Sequence, residues 1–380
     1  MKIVIITSFP FPDGKATANR VRVFAEEFIN TGYADEVRIF ATSPTHGETV
    51  NFFKKINVTS LHVPAIDKSK LLMRGMNELV VAFKLWSMAR RAEADITLIT
   101  LPSAFLLLPI VIFPKRGKLV IDVRDAVWTY FKKDTFIKGF LGRLLGSLFS
   151  VAAKKADLVT VTNSSEATSV QLVADVRSIL VANGISNAKF EELESIQPKI
   201  LQSKVNLTYI GNVGIAQELD ILIEFSKFYY QNVVVNVVGD GAMLGILSGK
   251  CVDKSVSNLK FHGSVPSDKV SDYMLKADVL FAQIGDNFKT AIPTKIFEYI
   301  ASGRRVLLGL PEGPAKQIFE EFYGVEIFPS GNLERMKQSY EKLLIQEFGS
   351  GERVHNLSLL QSRYIREKTM VTFLSELKNL

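Results

Sequence analysis

Two successive series of short β-branched runs, each alternating with segments of helical period, constrain this chain more than any other feature. Lys2 to Thr7 is apolar at nearly every position, the pattern of a strand buried on both faces, and it runs into the loop SFPFPDG. Ala18 to Thr31 follows with Val21, Phe24, Ala25 and Phe28 at helical spacing and a stop at Gly32. Val37 to Thr42, Ile96 to Thr100, Lys118 to Val123 and Leu158 to Thr162 read as further strands, with a helix over Leu79 to Arg91. The series then restarts. Val205 to Ile210 ends in GNVG, Val233 to Val238 in GDG and Leu259 to Phe261 in HGSV, while Val279 to Ala282 and Arg305 to Leu310 complete the set. Helices are expected over Leu219 to Tyr230, Ser267 to Lys276 and Thr294 to Ala301.

Strands alternating with helices make a parallel sheet covered on both faces. The expected fold is therefore α/β, with two Rossmann-like doubly wound domains facing a cleft, and with ligands at the carboxyl ends of the strands. No short-period repeat points to a solenoid. The charged segment Phe190 to Ser203, which contains Pro198, reads as a linker. That sets the domains at 1–198 and 199–354, with a last helix over about 355–380 expected to pack back on the first.

Composition narrows the class. A chain of 380 residues has room for two cores, and 47% apolar with 22% charged residues is a globular balance. The single cysteine, Cys251, excludes a disulfide framework. His46, His62, His262 and His355 are scattered, so a histidine–cysteine zinc site is not expected, nor any metal. The N-terminal apolar run is too short for a signal peptide, and the stretch Leu101 to Phe113 covers about half a membrane span and reads as buried. A cytoplasmic location is the expectation. Residues 115–155 hold ten basic and three acidic residues, a surplus equal to the whole chain's net charge of +7. Such a patch suits an anionic partner, or is a solvated face.

Missing motifs exclude several chemistries. No GxGxxG follows the first strand, no GxxxxGK[ST] occurs, and no GxSxG supports a hydrolase triad. What remains are glycine turns after the second set of strands. Gly211-Asn212-Val213-Gly214 and Gly239-Asp240-Gly241 let backbone approach a ligand, the first leading into a helix whose amides face phosphate. In Ile292-Pro293-Thr294-Lys295-Ile296-Phe297-Glu298, Thr294 is placed to cap a helix on which Lys295 and Glu298 share a face. A lysine there suits a diphosphate and a carboxylate one turn on suits ribose hydroxyls; an exposed ion pair is the plainer alternative.

These segments, in this order, resemble the retaining glycosyltransferases of the GT-B fold, specifically glycosyltransferase family 4, whose bacterial members build O-antigen, capsule and other surface polysaccharides. The resemblance runs through YIGNVGIAQELDILIEF, VVGDGAMLGIL, LKFHGSVPSDKVSDYMLKADVLF and IPTKIFEYIASGRRVLLG, and in the first half through VIDVRDAVW, ADLVTVTNSS and ILVANGISNAKF. It implies that Glu298 binds the donor ribose, that Gly211 and Asn212 lie at the diphosphate, and that Gly263 and Val265 read the base. It further implies that Thr294 and Lys295 form the pair of the polysaccharide-assembly subgroup, and that Gly14 approaches donor and acceptor. Asp125 falls where the family often has histidine–aspartate, with Arg124 for the histidine. Lys295, Glu298 and Asp125 are thus the expected catalytic residues, with Gly239 and Asp240 on the donor side.

The sequence also departs from the family. The first of the paired glutamates is Thr290, Gln217 stands where many members have a phosphate-binding lysine, and Ser186 replaces an aspartate. Lys295 would supply the missing cation. The resemblance implies retention of configuration without metal or cofactor, and the scarcity of histidine fits a mechanism in which the leaving phosphate takes the acceptor proton. It favours UDP as nucleotide. Phe131 to Lys155 mixes Lys132, Lys133, Lys138 and Arg143 with Phe136, Phe140, Leu141, Leu144, Leu145 and Leu148. That pattern suits an anionic membrane surface at the inner leaflet and a polyprenyl-diphosphate-linked acceptor, with no nucleic acid. The alternatives are a non-catalytic nucleotide-sugar-binding homologue and a UDP-N-acetylglucosamine 2-epimerase, whose cleft carboxylates and histidines are not apparent.

Overall fold

A run apolar at consecutive positions must be covered on both sides, and Ile3 to Ile6 of β1 (Lys2–Pro10) show how. Ile3 and Ile5 face one helical layer, whereas Val4 and Ile6 face another. The computed structural model describes residues 1–12, 16–43, 49–63, 71–101, 103–114, 116–129, 136–196, 199, 201 and 203–380, the side chains of 71, 72, 137, 138 and 267 excepted. Around β1 stand β2 (Glu36–Ser43), β3 (Thr49–Phe53), β4 (Ile56–His62), β5 (Ile96–Leu101), β6 (Lys118–Val123), β7 (Leu158–Val161) and β8 (Ser178–Leu180). Their order is β3-β4-β2-β1-β5-β6-β7-β8, parallel except for the β3–β4 ribbon, which sequence reasoning missed. One face is covered by α1 (Ala16–Asn30) and the other by α2 (Leu71–Arg91), α3 (Leu107–Ile112), α4 (Phe136–Lys155) and α5 (Ser164–Ala174).

The second sheet is parallel throughout. Its order is β11-β10-β9-β12-β13-β14, made of β9 (Val205–Ile210), β10 (Val233–Val238), β11 (Leu259–Gly263), β12 (Val279–Gln283), β13 (Arg305–Leu310) and β14 (Val325–Pro329). Before it comes α6 (Asn187–Glu194). Between its strands run α7 (Ile221–Phe228), α8 (Leu244–Asp253), α9 (Val270–Lys276), α10 (Lys295–Ala301) and α11 (Pro314–Phe319). Three helices follow: α12 (Leu333–Ile345), α13 (Ser350–Arg363) and α14 (Arg366–Lys378). Leu207, Val235 and Phe281 pack on α7, α8 and α12; Leu280, Val306 and Leu308 pack on α9, α10, α11 and α13.

The chain divides into two units, Met1–Asn183 with Arg366–Leu380, and Gly184–Ile365. The first crossing falls at 183/184 rather than 198/199, because α6 sends Phe190 and Leu193 into the second core. Arg353 of α13 donates to the carbonyls of Leu193 and Glu194, at 2.9 and 3.0 Å, and ties α13 to the same unit. Of the C-terminal segment only α14 belongs to the first unit. Its Phe373 meets Phe24 of α1 edge-on at 5.2 Å. The two crossings run side by side: Ile185 bridges Ile365, and a side chain at Gly184 would stand 1.9 Å from the Tyr364 carbonyl oxygen.

Buried charges in the first unit are paired or neutralised. Arg20 grips Asp122 through two hydrogen bonds of 2.6 and 2.9 Å and also donates to the Val181 carbonyl and Asn183. Thr160 donates to the same Asp122 carboxylate at 2.7 Å. Glu166 is buried at the start of α5, where it accepts from the Thr162 amide and hydroxyl, and burial pushes its pKa up to about 8. The folded state therefore favours protonated Glu166, whereas the unfolded chain ionises it near 4.5. The resulting stabilisation is complete below the unfolded value and lost as pH rises through the folded one. Across that window Glu166→Gln should gain stability relative to the parent by up to about 1.4 kcal/mol per pH unit. Denaturant titrations of both proteins at a series of pH values would show the diverging curves; parallel curves would refute a neutral Glu166.

Candidate functional site

In an open parallel sheet the crevice for a ligand opens where neighbouring strands send their connections in opposite directions. In the second unit that point is the carboxyl end of β9, which lies between β10 and β12. Gly211 leaves β9 there, and the loop after β12 leads to α10. The turns after β9 and β10 are laced together by backbone. Gly211 N–H donates to Val238, Val213 N–H to Asp240 and Met243 N–H back to Val213, all within 2.9–3.0 Å. Gly239 N–H reaches Gly263 O at 2.8 Å, which adds the turn after β11 to the same ledge. Gly239 has φ +138°, and a Cβ there would lie 1.8 Å from Gly211 O, so only glycine allows this approach.

α10 is bolted to this ledge by one hydroxyl. Tyr299 is completely buried; its Oη donates to Ile210 O and accepts from Ile210 N–H, each at 2.9 Å. Both backbone groups of the last β9 residue are thereby satisfied at a position where strand pairing with β12 has already ended at Tyr209. Burial raises the phenol pKa of Tyr299 far above its ordinary value, which keeps it a neutral donor. Glu298 and Lys295 ride on the same helix. Lys295 Nζ donates to Glu298 Oε2 at 2.9 Å, with the lysine 37% and the carboxylate 12% exposed.

The expected donor residues Gly211, Asn212, Gly239, Asp240, Gly263, Lys295 and Glu298 thus come together around the carboxyl ends of β9, β10 and β11 and on α10. Asn212 and Asp240 are exposed, Asp240 accepting from the Gly241 amide at 2.7 Å. Val265 is half-buried against the core beneath, and Thr290 lies in the loop that leads to α10. Two expectations are corrected. Thr294 precedes α10 but is itself helical, φ −64° and ψ −25°, and makes no side-chain cap, since capping needs extended backbone at that residue. The GNVG turn leads into a 3-10 turn, Ile215–Gln217, and α7 starts only at Ile221.

Gln217 turns inward. Its Oε1 accepts from Asn212 Nδ2 at 3.3 Å and from the Gly214 amide at 3.2 Å, so it shapes the loop instead of placing a charge beside it. Sequence reasoning missed Gln283, which is buried at the end of β12 and donates to the carbonyls of Gln217 and Glu218 at 3.2 and 2.8 Å. The signal was a lone amide ending the apolar strand VLFAQ. Tyr209, whose hydroxyl donates to Asn212 O at 2.7 Å, was missed for the opposite reason: it reads as an ordinary strand aromatic.

In the first unit Asp125 follows β6 and is half-buried; Gly14 lies outside the described residues. Arg124 is half-buried as well, and desolvation and then the charge of Arg20 lower its pKa. The basic window is thinner at the surface than its count implies. Lys155 donates to the last carbonyls of α3, and Lys118 pairs with Asp157 at 3.8 Å. Arg143 is exposed, with Nε on Gly139 O; Lys132, Lys133 and the Lys138 side chain lie outside the described residues. On α4 Phe136 is 82% exposed, and Phe140, Leu144 and Val151 are also exposed. Among the described residues no helix is long and apolar enough to cross a membrane, and no cluster of His, Cys, Asp and Glu is placed to hold a metal ion.

No family model matches the sequence, and no curated protein sequence matches it. Solved structures do. Sucrose-phosphate synthase from Thermosynechococcus elongatus is 13% identical with a TM-score of 0.78, over 100% of this chain and 98% of that one. Anabaena HepE, in complex with UDP and glucose, is 15% identical with a TM-score of 0.70 over the full length of both. WaaG, a glycosyltransferase involved in lipopolysaccharide biosynthesis, is 16% identical with a TM-score of 0.63 over 95% of this chain and 94% of that one. At these identities the likeness shows the fold, which is of the GT-B class: α/β, with two Rossmann-like parallel-sheet domains.

Replacing Tyr299 by Phe removes one oxygen and leaves two buried backbone groups of Ile210 without partners. The expected loss is about 1–3 kcal/mol in urea unfolding. A loss below about 0.5 kcal/mol would show that Ile210 finds other partners and that the hydroxyl does not hold α10 in place.

Proposed function

We propose that this chain is a glycosyltransferase that takes a sugar from a UDP-sugar and passes it, with retention and without metal, to a lipid-linked saccharide acceptor at an anionic membrane surface. The observation that carries the reading is the Lys295–Glu298 pair, set by Tyr299 beside the glycine ledge at the switch point of the second sheet. Three further points support it. The resemblance assigns ribose to Glu298, HepE has the same fold with UDP and glucose bound, and WaaG, also of this fold, acts in lipopolysaccharide biosynthesis.

The chemistry follows from charge. Breaking the anomeric C–O bond leaves an electron pair, and so an added negative charge, on the diphosphate oxygen. The ammonium of Lys295 meets that charge, while Glu298 accepts from the ribose hydroxyls; the amides of Gly211, Val213 and Gly239 are already spent on backbone carbonyls and hold the ledge in shape. Before the donor arrives Lys295 and Glu298 satisfy each other. A half-exposed pair of this kind is worth about 0.2–1 kcal/mol, so a diphosphate and a ribose readily take over the two halves. The acceptor hydroxyl attacks on the face the diphosphate leaves, its oxygen bonding to the anomeric carbon as its proton passes to the departing phosphate oxygen. A catalytic role for Asp125 is carried over from the resemblance alone. The exposed apolar residues of α4, with Arg143, support peripheral attachment to an anionic leaflet.

One observation favours the second reading, a non-catalytic nucleotide-sugar binder: Gln217 closes on its own loop and brings no cation. Two measurements separate them. Calorimetry with UDP, GDP, ADP and dTDP is expected to select UDP, with binding weakened at least tenfold in Glu298→Ala. Lys295→Ala is expected to lose donor turnover by about 100-fold or more while the melting temperature holds. Nucleotide binding without turnover of any UDP-sugar by the parent protein would favour the binder; no nucleotide binding at all would end both readings.

A further inference from the structure

Three arginines line one groove of the first unit, and none has a carboxylate partner among the described residues. The groove, of 630 Å³, lies where α2 ends and where the chain passes from α3 to β6. It is therefore beside the starts of β5 and β6, at the opposite end of that sheet from the strand carboxyl ends. Phe83, Trp86, Arg90 and Arg91 come from α2; Phe113 and Arg116 come from the loop after α3. Phe83 and Phe113 meet edge to face at 6.1 Å, and the Arg90 guanidinium stands 5.5 Å from the Phe113 centroid. Glu93 also lines the groove, yet no ion pair joins it to any of the three arginines.

Arg90 and Arg91 complement the carbonyl end of α2. That accounts for two cations and not for the third, since Arg116 arrives on a separate segment. Nor does it account for Trp86. This side chain is 5% exposed and lines the groove, and its indole N–H is buried with no hydrogen-bond partner among the described residues. Three guanidinium side chains lining one aromatic-walled groove make it positive, and an anion with several acceptor oxygens complements it. A planar guanidinium fork fits phosphate oxygens in that way.

The surroundings say which phosphate. Along α2 the outer stripe Met73, Met76 and Val80 leads towards the groove at i, i+3 and i+7, with Met76 70% exposed. At the end of α3 Ile112 is 58% exposed, although the sequence reads as a buried segment there. A soluble anion has no use for these apolar side chains, whereas a lipid brings acyl chains next to its headgroup. We propose that the groove binds the phosphate of an anionic lipid headgroup, with Met76, Val80 and Ile112 among its acyl chains. The proposal rests on the peripheral-attachment reading and adds to α4 a headgroup site on α2 and α3.

The test is flotation of the full chain with phosphatidylcholine vesicles, with and without phosphatidylglycerol. The parent protein should float only with the anionic vesicles. Arg90→Gln/Arg91→Gln/Arg116→Gln should weaken partitioning by on the order of 100-fold, about fivefold for each cation near the surface. Arg116→Gln alone, on an exposed loop, should show about a fivefold loss, which keeps the test informative if the triple variant folds poorly. Equal flotation of parent and both variants would overturn the groove and leave attachment to α4. No flotation of the parent would overturn both. If inorganic phosphate raises the parent's melting temperature in an arginine-dependent way while vesicles do not bind, the groove takes a soluble anion and the lipid proposal falls.

Discussion

A single phenol holds the second unit's site in register. The hydroxyl of Tyr299 donates to one end of the Ile210 peptide pair and accepts from the other, at 2.9 Å each, in a place water does not reach. Without it the end of β9 would carry two unpaired backbone groups, and α10 would be located only by apolar packing, which has no preferred azimuth. With it, α10, which bears Lys295 and Glu298, is fixed to the residue from which Gly211 departs. The glycine ledge has the same logic from the other side. Because the Gly239 backbone touches that of Gly211, the turns after β9 and β10 move as one piece. The site is therefore rigid in its backbone and adjustable in its charged side chains.

Burial separates the ion pairs that build the protein from those that can work. Arg20 and Asp122 are 7% and 0% exposed and are saturated by Thr160, Asn183 and the Val181 carbonyl. Opening that pair would strand a charge in the interior, at a cost of several kcal/mol, so it cannot exchange partners. Lys295 and Glu298 lie at the boundary, where the pair is weak enough to yield to a ligand and screened enough to be stable without one. Of the two, the second has the exposure a binding group requires.

Much of this was legible in the sequence because both signals involved are local. A doubly covered strand must be apolar at consecutive positions, so the central parallel strands of both sheets announce themselves and the glycine turns mark their ends, whereas the parallel strands β4, β8 and β14 went unread. Lys295 and Glu298 could be put on one face by counting residues. The failures were non-local. The β3–β4 ribbon is half exposed and short, so it lacks the apolar run that identified the others. The limit of the first unit was set too late because the charged surface of α6 reads as a linker, while the two residues that commit it to the second core, Phe190 and Leu193, are lost among glutamates. Gln217 could be read only by position; that its amide folds back on Asn212 and Gly214 depends on the loop's path. The basic window misled in the same way, since composition does not tell a lysine that caps carbonyls, as Lys155 does, from one that faces solvent.

The side-by-side crossings at 183/184 and 365/366 have a consequence for how the molecule is made. The second unit is an insertion within the first, entered and left at one spot. A ribosome delivers the chain from its amino end, so the inserted unit has every strand it needs while the host still lacks α14. Until Phe373 and its neighbours emerge, Phe24 and Phe28 of α1 pack on the sheet but lack the ring that closes over them. The order of synthesis and the order of completion are therefore reversed: the half begun first closes last.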